Sequence, residues 1–424
     1  MTNRIDIRPN FFKQSTLLAS LFIFLSALKL SLAQMLWAPR ILTLEDAYYY
    51  SAGVHNEWII VAQIFTIIIF ACGFQLSVRA LGMSVGFSAR YIKAAFFWMA
   101  INIVAIISHI ISGNIPSLEM FLPIFIPLVV GSAMPEDRNF MIDALYYTLA
   151  LMLAGGILSA ILFPEWAFIM DWESEFSVSD KRYMGLLSHP NQIGAIASLV
   201  IITNLIKKFR YQFFVLSIAL LSLALSQSKT SILAVLFSSV TWFFAYKIKN
   251  RKYTKLLLIV SMFLFLFGWM YVFISGIPGV NEELLSLTGR TQIWEEALII
   301  WKNNIIIGAG QNAFDEDFRI ATQLGGATSA HNQVLEVLAT IGIAGLLGML
   351  GLIYQLTKAF IDEEHYDQFT SSAMALLVFV FVRGATEPSL LSLNIGSPYF
   401  FGVAIFILLS KLNNDPRLLM RQVS

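Results

Sequence analysis

The chain has 424 residues, 57% hydrophobic and only 13% charged, with a mean hydropathy of +0.72. A soluble protein of this length carries roughly twice that charged fraction as its solvated shell, so the composition excludes an ordinary globular fold and implies a membrane protein. The 28 Lys and Arg against 27 Asp and Glu exclude the basic surface a nucleic-acid partner needs, and the single cysteine, Cys72, excludes an internal disulfide framework.

Apolar runs bounded by polar or charged residues predict membrane spans near 16–36, 57–78, 92–112, 117–134, 143–163, 190–206, 212–226, 229–246, 255–275, 332–355, 369–387 and 395–411. The expected fold is therefore an all-α polytopic membrane protein of about twelve helices, with residues 1–424 forming one integral membrane domain. The first run resembles a secretory leader, since Arg4, Arg8 and Lys13 precede an apolar stretch ending at Ser31-Leu32-Ala33. Its length and the charge pattern downstream favour an uncleaved span. With the N-terminus inside, cytoplasmic segments collect 19 of the 28 cationic residues and the opposite face only eight, Lys29 falling within the first span. The positive-inside rule then places both termini in the cytoplasm.

Two outer segments stand out. Residues 164–189 form one loop, and residues 276–331 form a much longer one between the ninth and tenth spans. Both are acidic: the second holds seven carboxylates against Arg290, Lys302 and Arg319. Within it, Ile293, Trp294, Ala297, Leu298 and Trp301 recur at helical spacing from Arg290 to Asn303, predicting an amphipathic helix whose Trp residues suit a membrane interface or the outer surface of the bundle. Gly308-Ala309-Gly310 should end that segment with left-handed or closely approached backbone, and Gly325-Gly326 would permit a hinge.

Chemistry on that face must come from few groups. His331-Asn332 can cap the tenth span, yet an imidazole titrating near neutrality is also a natural base for a hydroxyl. Arg290 and Lys229 can each be a lipid-facing anchor, but two cations beside a histidine on a cation-poor face suit an anionic group such as a phosphate. In Ser188-His189-Pro190-Asn191-Gln192, Pro190 fits a first helical turn, and His189 and Asn191 either cap the sixth span or line a cavity and bind sugar hydroxyls. Arg383 has Glu387 as a partner at four-residue spacing. Asp315-Glu316-Asp317 and Asp171-Trp172-Glu173 read as solvated acidic faces, and His109 as a packing residue within a span.

The ordered set His189-Pro190-Asn191, Ser226-Gln227-Ser228-Lys229, Gly289-Arg290 with Ile293-Trp294, Gly308-Ala309-Gly310 and His331-Asn332 resembles the O-antigen ligase and polymerase superfamily, over roughly residues 185–355. The resemblance implies a metal-independent, inverting glycosyltransferase of the bacterial inner membrane, with no cofactor and its active site on the periplasmic face. Its donor would be an undecaprenyl-diphosphate-linked oligosaccharide and its acceptor a glycan hydroxyl. His331 and Arg290 would be catalytic, with His331 activating the acceptor and Arg290 with Lys229 binding the diphosphate; His189, Asn191, Arg319 and Arg383 would contact substrate. Lysine at 229 departs from the arginine usual in the family and supplies charge without a bidentate fork. The stretch Arg383-Gly384-Ala385-Thr386-Glu387 resembles polymerase members, which favours polymerisation of surface-polysaccharide repeat units, with a chain-length regulator as a candidate partner. The alternative is a ligase moving finished glycan to lipid A core or protein. A lipid-linked sugar transporter is more distant, since no half-to-half repeat is visible.

Overall fold

The computed structural model describes residues 9–37, 56–82, 88–133, 138–170, 181–270, 290–322, 328–363, 366–391 and 395–411. Each predicted apolar run contains a helix, as it must if backbone N–H and C=O groups are to be satisfied without water. In chain order these are α1 (Pro9–Trp37), α2 (Asn56–Gly82), α3 (Ala89–Ile111), α4 (Leu122–Ser132, entered through a 3-10 turn at Leu118–Phe121), α5 (Arg138–Leu162), α6 (Pro190–Thr203), α7 (Gln212–Ser226), α8 (Lys229–Trp242) and α9 (Arg251–Phe267). Two helices of the long loop follow, α10 (Arg290–Asn303) and α11 (Glu316–Thr322), and then α12 (Gln333–Ile361), α13 (Gln368–Gly384) and α14 (Ser397–Lys411).

Seven of these helices are long and apolar enough to cross a membrane; the other five apolar segments, Leu118–Ser132, α6, α7, α13 and α14, are shorter. The short helices include the most enclosed ones. Every residue of α13 from Thr370 to Gly384 and of α14 from Ser397 to Ser410 is buried, and α6 is buried except at Gln192. A helix apolar all round belongs in an interior. Helices α2, α8 and α9 instead turn apolar side chains outward, among them Ile60, Ile67 and Phe74 on α2 and Ile259 and Phe263 on α9, as a lipid-facing shell does. Buried hydroxyls between helices bond the preceding turn, as Ser198 does to the Gly194 carbonyl and Ser238 to that of Ala234.

The fold is not purely helical. Within the predicted 164–189 loop, β1 (Phe168–Met170) pairs antiparallel with β2 (Lys181–Tyr183), Phe168 opposite Tyr183. Residues 171–180, with Asp171 and Glu173, lie outside the described residues, as do 271–289 with Gly289, 323–327 with Gly325-Gly326, and the side chains of Glu316 and Asp317.

The predicted amphipathic helix is present as α10, packed on α12. Trp294 is 1% exposed and belongs to the protein core, so the membrane-interface reading of this tryptophan gives way to packing on the bundle. Beyond α10 the chain hooks into α12, which is broken at Gly342 (φ 68, ψ −161). The N–H groups of Ala309 and Gly310 donate to the Ala339 and Thr340 carbonyls at 2.8 and 3.0 Å, and those of Ile343 and Ala344 donate to the Ile305 and Ile306 carbonyls at 2.9 and 3.0 Å. The strap thus takes over the polar groups that the break sets free, the condition for irregular backbone inside an apolar bundle. Glycine is required on both sides: a Cβ at Gly308 would lie 2.3 Å from the Thr340 carbonyl carbon, and one at Gly342 2.5 Å from that of Ile306. The hook couples α10, which begins at Arg290, to α12, which begins just after His331.

Candidate active site

Polar side chains converge where α1, α6, α12 and α13 meet, around a cavity of about 790 Å3. His189, Asn191, His331, Gln333, Arg383 and Glu387 line it on one side, and Lys29 with Glu119 line it as well.

Local structure presents each of these groups. Asn332 caps α12, its Oδ1 accepting from the N–H groups of Val334 and Leu335 while its Nδ2 donates to the Ala385 carbonyl at 2.8 Å. His331, immediately before the cap, holds φ at +48°, a left-handed conformation uncommon for a residue with a Cβ. His189 caps α6 as its position suggests, Nδ1 accepting from the Asn191 N–H at 3.1 Å, with Pro190 in the first turn. Burial outweighs the opposing Glu387 charge and, with Arg182 and Arg290 nearby, pushes the His189 imidazole down to about 4. A neutral ring whose Nδ1 is an acceptor carries its proton on Nε2, and so offers the cavity a donor.

The centre of the site is Glu387, three residues past the end of α13. One oxygen, Oε1, accepts from Asn191 Nδ2 at 2.7 Å, from Arg290 Nη2 at 3.0 Å and from His331 Nδ1 at 3.1 Å. Burial alone would raise this carboxyl, but His331, Arg290 and Arg383 outweigh it and hold the group well below the usual carboxylate range. Arg290 also donates from Nη1 to the Thr386 carbonyl at 2.8 Å. Asn191 is held in turn by Arg182, whose Nη2 donates to Asn191 Oδ1 at 3.0 Å and whose Nε donates to the Ser226 carbonyl. Gln333 Oε1 accepts from the N–H groups of Ser389, Leu390 and Leu391 and so orders the chain just after Glu387.

A histidine bonded through Nδ1 to a carboxylate carries its proton there, which leaves Nε2 as a proton acceptor and puts a negative charge behind the ring to stabilise an imidazolium. Arg290 keeps N–H groups beyond the two it uses here. The arrangement thus offers a proton acceptor and its orienting carboxylate on the cavity wall, with the Arg290 guanidinium bonded to that carboxylate but not itself among the lining residues.

The sequence-based candidates divide. His331, Arg290, His189, Asn191 and Arg383 come together through Glu387 and its neighbours. The expected Arg383–Glu387 hydrogen bond is not the one formed: α13 ends at Gly384, and the guanidinium of buried Arg383 donates to the Pro388 carbonyl, Ser389 Oγ and the Asn191 carbonyl. Lys229 is exposed at the start of α8, and Arg319 lies on α11 with Nε donating to the Asp315 carbonyl; neither lines the large cavity. Sequence reasoning saw Glu387 only as a partner for Arg383 and missed it as the hub. It also missed Arg182, Gln333 and the ion pair of buried Lys29 with half-buried Glu119, in which Glu119 Oε1 further accepts from the Ile395 N–H at 2.9 Å. The signal available was a lone lysine inside an apolar span, which has to find a partner.

Residues 214–350, about a third of the chain, match the protein-family model described as O-Antigen ligase. The matched stretch runs from α7 into α12 and holds Lys229, Arg290, Arg319 and His331; His189, Asn191, Arg383 and Glu387 fall outside it. No curated protein matches the chain.

Proposed function

The O-Antigen ligase match bears out the superfamily resemblance and supports a membrane-embedded enzyme of the polysaccharide ligase and polymerase class, acting on a lipid-linked glycan and an acceptor, and from that premise we propose that the chain is an inverting glycosyltransferase. In this reading it transfers glycan from an undecaprenyl-diphosphate carrier to an acceptor sugar hydroxyl on the outer face of the cytoplasmic membrane, and so polymerises surface-polysaccharide repeat units. The observation that carries it is the convergence of His331 and Arg290 on Glu387 beside the large cavity.

In the proposed step, His331 Nε2 takes the proton of the acceptor hydroxyl as its oxygen attacks the anomeric carbon. The bond from that carbon to the diphosphate oxygen breaks, and the electron pair leaves on the diphosphate. Arg290 stabilises the charge on that leaving group, with Lys229 as a second cation. Glu387 keeps His331 in the productive tautomer and stabilises the imidazolium formed. His189 donates to substrate from Nε2. Asn191 and Arg383, committed to Glu387 and to the chain around it, act on substrate mainly by holding the wall, and Arg319 meets the glycan outside the large cavity. A base, a cation and positioning suffice for a leaving group that already carries its charge, so no metal or cofactor is invoked.

The family description favours a second reading, a ligase that moves finished glycan to lipid A core or protein. One experiment addresses both: the purified full chain with a lipid-diphosphate-linked oligosaccharide and a chelator, wild type against His331→Ala, with products resolved by size. A ladder from wild type alone supports the polymerase. Product only when a separate acceptor is added supports the ligase, and product from His331→Ala overturns the base.

A further inference from the structure

Beside the large cavity lies a second one of about 500 Å3, walled by the end of α3, the turn leading into α4 and the segment 311–315. Glu119 and Gln311 line both, so the two are neighbours across a shared wall. Their chemistry differs. The large cavity carries Lys29 and Arg383 beside the carboxylates Glu119, Glu336 and Glu387; the smaller cavity has no Lys or Arg among its described lining residues and is bordered instead by His109, Ser117, Glu119, Gln311, Asn312 and Asp315. In that lining a phosphate finds no Lys or Arg, but two carboxylates, Glu119, already paired with Lys29, and Asp315. Imidazole, amides, a hydroxyl and carboxylates together offer both donors and acceptors at close spacing, the set that matches vicinal hydroxyls.

Two details sharpen this. His109 is 5% exposed, and its Nδ1 has no hydrogen-bond partner among the described residues. An orphaned buried nitrogen carries a desolvation penalty; this one has no accessible surface as placed, so a hydroxyl relieves it once the ring turns toward the cavity it lines. Asn312 Nδ2 donates to Asn114 Oδ1 at 3.1 Å in an exposed pair, joining the segment before α11 to the loop after α3 at the rim.

We infer that this second cavity is a carbohydrate subsite holding an uncharged sugar one or more units away from the bond that reacts in the large cavity. It rests on the transferase reading above and adds to it a division of labour: the large cavity, with Arg383 in its wall and Arg290 beside Glu387, takes the diphosphate and the reacting centre, and the smaller one, without Lys or Arg in its lining, takes the glycan that continues from it. A glycan longer than one residue must leave the large cavity somewhere, and the wall shared through Glu119 and Gln311 gives it a polar neighbour to enter.

The test uses full-length protein in detergent and, as probe, the repeat-unit oligosaccharide of the source organism, supplied both on its lipid diphosphate and released from it by mild acid. Asn312→Trp fills the rim, Asn312→Ala trims it, and thermal unfolding verifies that both variants fold. The expected result is a KM at least tenfold higher for Asn312→Trp and severalfold higher for Asn312→Ala, kcat within twofold of wild type in both. Affinity for the free glycan should fall in parallel, while His331→Ala binds it like wild type and makes no product. A wild type that makes product, with Asn312→Trp matching its KM, overturns the subsite and leaves the transferase standing. A wild type that neither makes product nor binds the glycan overturns both.

Discussion

Replacing Glu387 by glutamine tests the centre of the site with the least change in shape. Three donors, from Asn191, Arg290 and His331, share one oxygen at 2.7 to 3.1 Å. The amide oxygen of the substituted side chain could still accept from them, but without the negative charge. A bond to a charged group is worth about 1 kcal/mol more than a neutral one, so three weakened bonds amount to about 3 kcal/mol. If that difference is expressed in the transition state, where His331 becomes cationic and Arg290 faces the leaving group, kcat falls on the order of 100-fold. The amide can also present its NH2 to the ring, which would favour the wrong tautomer and deepen the loss. The assay is transfer from the lipid-diphosphate-linked oligosaccharide under saturating donor, on protein shown to be monodisperse and folded. A Glu387→Gln enzyme with kcat within threefold of wild type would refute the idea that this carboxylate orients the base. The wild-type carboxyl sits well below the usual range, so its stabilising charge is complete above the unfolded value near 4.5 and is lost only as pH falls through the lower folded value. Any loss of activity between pH 8 and 5 therefore belongs to another group.

Gly342→Ala forces a Cβ to 2.5 Å from the Ile306 backbone at φ 68°; strain and overlap together should cost at least about 3 kcal/mol, read as a lower Tm of the detergent-solubilised protein and a loss of activity as the strap leaves α12. Lys29→Met leaves the part-buried Glu119 carboxylate without its cation and should destabilise by about 1–3 kcal/mol, whereas Lys29→Met with Glu119→Gln, which keeps an acceptor for the Ile395 N–H, should recover much of that Tm. His189 has a folded pKa of about 4 against 6.5, so the unfolded state takes up more protons between those values and stability rises with pH across that window, by about 3 kcal/mol at most. His189→Asn keeps a helix-capping oxygen and removes the titration; its Tm should be flatter from pH 4 to 6.5, and an unchanged slope would exclude His189 as the source.

Much of the fold was legible because the information is local. An apolar run must satisfy its own backbone, so the helices fall where the runs do, and Pro190, Asn332 and the Gly308-Ala309-Gly310 stretch perform the cap and turn roles their types imply. The amphipathic period of α10 was equally plain, but not what would cover it: Trp294 suits lipid interface and protein core alike, and only packing on α12 decides between them. His331 and Arg290 stood out as candidates because cations and imidazoles are scarce on the face predicted to be outer. Their shared partner did not. Glu387 lies 56 residues from His331, 97 from Arg290 and 196 from Asn191, and no periodicity in the chain encodes separations of that size. Gly342 reads as one small residue among several in an apolar helix, and Lys29 as a lone charge in a span, until the strap at 305–310 and the turn at Glu119 are brought against them. Backbone hydrogen bonding in an apolar setting determined where the helices are, since each can meet that demand by itself. Which polar groups meet was decided by helix packing, because a buried charge is stable only beside a partner that the far end of the chain supplies.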